Sequence, residues 1–217
     1  MEDPCIGIDE AGRGAFAGPF VAASVYIPDA QGMKEKLGSL PIRDSKTLSE
    51  RQRERVFEAM CEFGISFETI SISVPEINRR GIGWANTSGI RTLIKRAFSP
   101  QVMWSCSTLP VEVIVDGYFP QKKIAVKDIP VRCQVDADAT VFSVILAGIV
   151  AKVTRDRIMK TLHEEYAMYG WERNKGYGTR EHIEAIKRCG MCPYHREQFV
   201  KTALDHVIPA KAWIHLH

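Results

Sequence analysis

The stretch from Val141 to Ala151 limits the possible folds of this chain most sharply. It is apolar almost without interruption. It opens a helical pattern from Ala139 to about Tyr166 that is first apolar all round and then amphipathic. A helix with no polar face has to be buried on every side. The run is far short of the roughly 20 residues needed to cross a bilayer, so no membrane partner is expected. The chain's 217 residues are enough for one full hydrophobic core that could take such a helix in.

The cover for that helix reads as strands in the first part of the chain. Val21 to Ile27 is apolar and partly β-branched. Ile70, Ile72 and Val74 alternate with serines, and Val111, Val113 and Val115 alternate in "PVEVIVDG". "KKIAVKDIPVRCQV" reads as a hairpin turning near Lys127 to Pro130. Between these lie helices. Ser49 and Gln52 form a capping box ahead of an apolar face of Val56, Phe57, Met60 and Phe63. A second helix covers roughly Ser88 to Phe98. Thr179 caps one that ends at Gly190, and His195 to Val207 is the last. The expected fold is α/β: a mixed central sheet flanked by helices, residues 1–168, with a helical C-terminal extension over 169–217.

Charge and cysteines narrow the class. The net charge is only +3, but residues 151–217 hold 12 Lys+Arg against 8 Asp+Glu. That local excess hints at an anionic ligand. The six cysteines are scattered, and no secretory signal precedes them, so free thiols in a reducing cytoplasm are expected. Cys189 and Cys192 form a lone CxxC near His195, without the fourth ligand that zinc requires.

The segment "GIDEAGRGAFAGP" at 7–19 carries the chemistry. Its glycines are spaced GxGxxxG, but a dinucleotide loop opens a helix, and here Pro19 and a β-branched run follow. Asp9 and Glu10 instead suit Mg²⁺ or Mn²⁺, which prefer oxygen ligands. Neighbouring side chains on a strand point to opposite faces, so both acids reach one ion only if the strand ends or bulges there. Further acids punctuate the ends of other elements: Asp116 closes "VEVIVDG", and Asp136 and Asp138 precede the long helix. Each alone could be a strand end or a helix cap.

Six motifs in order give this sequence its resemblance to ribonuclease HII: "DEAGRG" at 9–14, "DSKTL" at 44–48, "VDG" at 115–117, "IVAKVTRDR" at 149–157, "NKGYGT" at 174–179 and "HR" at 195–196. The resemblance spans nearly the whole chain. It implies a ribonuclease H-like fold with a two-metal site held by Asp9, Glu10, Asp116 and Asp138. Asp138 is preferred to Asp136 because the family's acid stands fourteen residues before the lysine of "AKV", here Lys152. The family usually has glycine before that acid, where this chain has Ala137. The sister family, ribonuclease HIII, usually lacks the arginine of Gly12-Arg13-Gly14.

The implied activity is an endonuclease. It would hydrolyse the RNA strand of RNA–DNA hybrids and cut 5′ to single ribonucleotides in duplex DNA, with two Mn²⁺ or Mg²⁺ ions, leaving 5′-phosphate and 3′-hydroxyl ends. Gly12, Arg13, Gly14 and Tyr177 would read the ribose and the following deoxyribose, while Lys46, Thr154 and Arg157 would contact phosphates. Lys152 reads as structural, and a monomer is expected. Two other readings share part of this pattern. A resolvase- or transposase-like nuclease has no reason to carry the GRG turn with a tyrosine, and a non-catalytic hybrid-binding module should have lost a carboxylate.

Overall fold

The computed structural model describes residues 4–40, 42, 47–98, 112–126 and 129–207. Five strands form one sheet in the order β3-β2-β1-β4-β5. β1 (Cys5–Ala11) lies at its centre, antiparallel to β2 (Phe20–Ile27) and parallel to β4 (Glu112–Asp116). β3 (Phe67–Ile72) extends the antiparallel side, and β5 (Val131–Gln134) extends the parallel side. The helices are α1 (Ala30–Lys36), α2 (Glu50–Glu62), α3 (Val74–Arg80), α4 (Ile82–Ala97), α5 (Gln121–Ile124), α6 (Ala137–Thr140), α7 (Phe142–Glu165), α8 (Trp171–Asn174), α9 (Arg180–Cys189) and α10 (Glu197–Val207). None is long and apolar enough to cross a membrane.

The all-apolar helix is α7. It lies against β1 and β2, and its first three turns are continuously buried. One side meets Val21, Ala23 and Val25; the other meets Leu37, Leu48, Val56 and Met60 from the layer outside it. Being covered on both sides, it has no room for a polar face. Gly7 permits the closest approach: a Cβ there would stand 2.3 Å from the backbone of Ser143 and Val144. The opposite face of the sheet, with Ile6, Ile8 and Phe20, is covered by α4 through Ile90, Leu93 and Ile94. A third cluster joins Ala17 and Met159 to Tyr169, Trp171, Ile186 and Val200, and so packs the C-terminal helices on the rest.

Several expectations need correction. "KKIAVKDIPVRCQV" is not a hairpin: Gln121–Ile124 is helical and β5 pairs with β4 in parallel, an arrangement that no tight turn can connect. The alternation of Ile124 and Val126 reflects packing on the α4 side of the sheet. Val74 does not continue β3. Ser73 and Glu76 form a capping box that starts a helix there, with Pro75 in its first turn. The helix expected from Ser88 begins at Ile82, and Phe63 caps the end of α2 half-exposed instead of packing in its face. The long helix is broken at Val141, whose extended backbone (φ −102°, ψ 117°) separates α6 from α7. The capping boxes and caps at Ser49 and Thr179 form as expected.

Candidate active site

The two parallel strands β1 and β4 run in the same direction, and β4 ends at Asp116 while β1 continues to Ala11 against β2. Their last paired residues are Ile8 and Val115, so Asp9 and Asp116 fall just beyond the last pair, side by side at the carboxyl edge of the parallel half of the sheet. That is the edge where open α/β sheets characteristically bind ligands. β1 does not bulge at its acids, since pairing with β2 runs unbroken through Asp9↔Ala23, Glu10↔Ala22 and Ala11↔Val21. Asp9 therefore lies on the α7 face and Glu10 on the other. Both still reach one pocket because β4 no longer flanks them.

That pocket, of about 330 Å³, is lined by Asp9, Glu10, Gly12, Arg13, Gly14, Asp116, Asp138, Lys152 and Tyr177. Asp138 is 2% exposed, and its backbone N–H donates to Asp116 Oδ1 at 3.2 Å. Asp136 takes the left-handed conformation (φ 56°) on the exposed side of α6 and does not line the pocket. Asp9 Oδ1 accepts from the Glu10 N–H at 2.7 Å, and Lys152 Nζ stands 4.0 Å from Asp9 Oδ2. Burial pushes the Asp9 carboxyl up to about 6 despite Lys152. Burial and the Asp9 charge push Glu10 up to about 8, against the opposing pull of Arg13. The Arg13 guanidinium is 3.9 Å from Glu10 Oε1, while Glu10 Oε2 is buried without a hydrogen-bond partner.

This donor set fits a hard divalent cation: four carboxylates, no sulfur or imidazole, two of them raised by burial and one oxygen without a hydrogen-bond partner. Among the described residues, no group of three His, Cys, Asp or Glu side chains is gathered closely enough to hold a single ion as placed. The carboxylates line the pocket at wider spacing.

The GRG turn is held from behind by two buried arginines. Arg155, on α7, donates to the carbonyls of Ala17, Pro19 and Lys175. Arg196 donates to Gly12, Arg13 and Gly18. The loop after β1 is also stitched to "NKGYGT" and to the His-Arg pair: Phe16 and Ala17 N–H donate to the Gly176 carbonyl, Arg196 N–H donates to the Phe16 carbonyl, and Ala17 bridges His195. Three motifs distant in sequence are thus one structural unit. Tyr177 emerges from it 43% exposed, with the Arg155 guanidinium 5.2 Å from its ring centre.

Other candidate residues are not gathered at the pocket. Arg157 turns to α2, where it pairs with Glu54 and lies over Phe57 at 4.7 Å. Thr154 is half-buried on α7 outside the lining, and Lys46 lies outside the described residues. Lys152, read as structural, lines the pocket beside Asp9. No role was assigned to Arg155 or Arg196 from the sequence, and among the charges of "AKVTRDR" nothing local distinguishes the buried Arg155 from the exposed Arg157. Cys189 and Cys192 are free thiols, and His195 Nδ1 accepts from the Cys192 N–H.

A sequence model of one family, ribonuclease HII, matches residues 6–204. The chain belongs to the ribonuclease HII family. It is thereby a ribonuclease H endonuclease. A ribonuclease HII from Frankia casuarinae is 41% identical over 201 residues, covering 92% of this chain and 76% of that protein. One from an Acidovorax species is 36% identical, covering 95% and 90%. Among solved structures, ribonuclease H2 from Pyrococcus horikoshii superposes with a TM-score of 0.71 at 25% identity, covering 94% of this chain and 98% of that one. A ribonuclease HIII solved with Mn²⁺ shares the fold at a TM-score of 0.70 and 21% identity, covering 94% of this ribonuclease HII chain and 70% of its own.

Proposed function

We propose that this ribonuclease HII hydrolyses the RNA strand of RNA–DNA hybrids and cuts 5′ to single ribonucleotides in duplex DNA, acting as a cytoplasmic monomer. The observation that carries the reading is the meeting of Asp9, Glu10, Asp116 and Asp138 with the GRG turn and Tyr177 in one pocket. The four carboxylates would hold two Mn²⁺ or Mg²⁺ ions, which when bound activate water and stabilise the leaving oxygen. Lys152 would offset the charge at Asp9.

Recognition falls to the chain itself. Gly14 is exposed with open space around it, so backbone can approach a sugar there. A 2′-hydroxyl both donates and accepts, and so can be distinguished by peptide groups at that range. Tyr177, projecting from the C-terminal extension over 169–217, would pack on the next sugar and favour deoxyribose there. Thr154, Arg157 and Lys46 are the proposed phosphate contacts; for Arg157 this requires the exposed pair with Glu54 to open.

The reading is tested with end-labelled duplexes, one a continuous RNA–DNA hybrid and one with a single ribonucleotide, in Mg²⁺, in Mn²⁺ and in chelator. Metal-dependent cleavage of both, with the scission 5′ to the ribonucleotide, is expected. Cleavage of all-DNA duplexes or of junction-like branches would favour the resolvase-like reading instead, and tight binding without cleavage the binding module.

A further inference from the structure

Behind Tyr177 lies a buried polar chain that the chemistry of the carboxylates does not use. His182 and His195 are completely enclosed, together with Trp171 and Tyr169. Trp171 Nε1 donates to His182 Nε2 at 3.0 Å, and the two imidazole Nε2 atoms stand 3.2 Å apart. His182 Nδ1 lies 2.9 Å from the Tyr177 carbonyl oxygen. The Cys192 N–H donates to His195 Nδ1 at 2.9 Å.

The donors and acceptors allow one consistent assignment. A carbonyl only accepts, so His182 Nδ1 carries a hydrogen and donates to Tyr177. The single lone pair of His182 Nε2 is then shared by Trp171 Nε1–H and His195 Nε2–H, and His195 Nδ1 accepts from the Cys192 N–H. Neither ring can gain a second proton without setting a new N–H against an existing donor. Burial acts in the same direction, lowering the pKa of both rings and that of His195 to about 4. The chain ends on the backbone of the residue whose ring faces the pocket. The Tyr177 N–H is held separately, by the Asn174 carbonyl at 2.9 Å.

We propose that the Trp171–His182–His195 chain is a positioning device that sets Tyr177 against the GRG turn, so that preference for a single ribonucleotide over a continuous hybrid depends on His182 although it touches no substrate. The proposal rests on the reading of Tyr177 given above. His182→Gln keeps an acceptor near Nε2 but removes the donor to Tyr177; His182→Asn can place an amide nitrogen where Nδ1 stands and restore it.

The readout is the ratio of cleavage rates on a single-ribonucleotide duplex and on a continuous hybrid, with thermal melting of each variant as the folding control. Loss of one such hydrogen bond corresponds to a fall in the ratio of about fivefold in His182→Gln, with the hybrid rate within about twofold of wild type. In His182→Asn the ratio is expected to fall less than in His182→Gln, because the substitution restores the bond to Tyr177 while leaving Trp171 and His195 without their acceptor. In the double variant with Tyr177→Ala the ratio is expected to fall no further than in Tyr177→Ala alone. If His182→Gln does not fold, Trp171→Phe, which removes the indole donor and keeps a smaller aromatic ring, is expected to lower the ratio in the same direction.

An unchanged ratio in the folded variant used, an equal fall in His182→Asn, or an additive double variant would overturn the proposal. A wild-type ratio in Tyr177→Ala would remove the reading of Tyr177 and the positioning device with it. If the wild-type protein cleaved neither duplex, the proposed function itself would fail.

Discussion

The guanidinium of Arg155 fills the volume in which a side chain at position 12 would have to stand: a Cβ built on Gly12 would lie 2.0 Å from Arg155 Nε. Gly12 also holds φ at +81°, in the region that side chains disfavour. Position 12 of the turn after β1 therefore requires glycine for a reason inside the protein.

Gly12→Ala is expected to destabilise the fold by more than about 2 kcal/mol, from backbone strain and displacement of a buried arginine. Gly14 has neither constraint, since nothing stands within 4 Å of its missing Cβ. Gly14→Ala is expected to melt like wild type while KM for an RNA–DNA hybrid rises. Urea unfolding together with steady-state kinetics on the two variants checks the contrast. Equal destabilisation of both would refute the distinction.

Arg196→Lys keeps a charge but not the fork that binds the carbonyls of Gly12, Arg13 and Gly18. Orphaned buried acceptors cost about 1–3 kcal/mol. A loss in that range is expected by chemical denaturation, with faster amide exchange across 12–19. Unchanged exchange in that loop would show that the guanidinium does not hold it.

Glu10 gives a pH dependence of definite sign. Its folded pKa, raised to about 8 from 4.5, means the folded state holds a proton that the unfolded state releases. The metal-free protein therefore loses stability on this account as pH rises from about 4.5 through 8. Glu10→Gln removes the charge, so in chelator it is expected to be more stable than wild type at pH 8, by up to several kcal/mol. That gain is expected to shrink toward pH 4.5. Denaturation at the two pH values checks it, and a gain that does not depend on pH would contradict the raised titration of the buried Glu10 carboxyl. Activity is expected to be lost in the same variant.

Much of this was legible in the residues. The buried helix announced itself through the absence of a polar face, and the capping residues Ser49 and Thr179 lie where their hydrogen-bonding chemistry puts them. Asp9, Glu10, Asp116 and Asp138 were implied by the resemblance to ribonuclease HII, and all four line one pocket. What stayed hidden depended on long-range pairing. The alternation around Ile124 and Val126 records burial and was read as a strand because period alone does not separate the two. No local pattern reveals that β1 keeps its register through Glu10 while β4 leaves it at Ile8. The basic excess of the last third suggested an anionic ligand, but much of it is spent within the protein. Arg155 and Arg196 bind carbonyls, and Arg157, Lys160 and Lys175 pair with Glu54 and Glu50.

The central claim is that the carboxylates lining the pocket, and not their neighbours, carry the cleavage. Asp138 and Asp136 offer the sharpest comparison, being two residues apart with one enclosed beside Asp116 and the other exposed. The decisive measurement is the single-turnover rate of Asp138→Asn and Asp136→Asn on a duplex with one ribonucleotide, in saturating Mg²⁺ or Mn²⁺, with Asp9→Asn beside them. Loss of an anionic ligand should cost several kcal/mol in the transition state, so Asp138→Asn and Asp9→Asn are expected to fall on the order of a thousandfold or more. Asp136→Asn is expected to cut at the wild-type rate, 5′ to the ribonucleotide. Near-normal cleavage by Asp138→Asn together with collapse of Asp136→Asn would contradict the account.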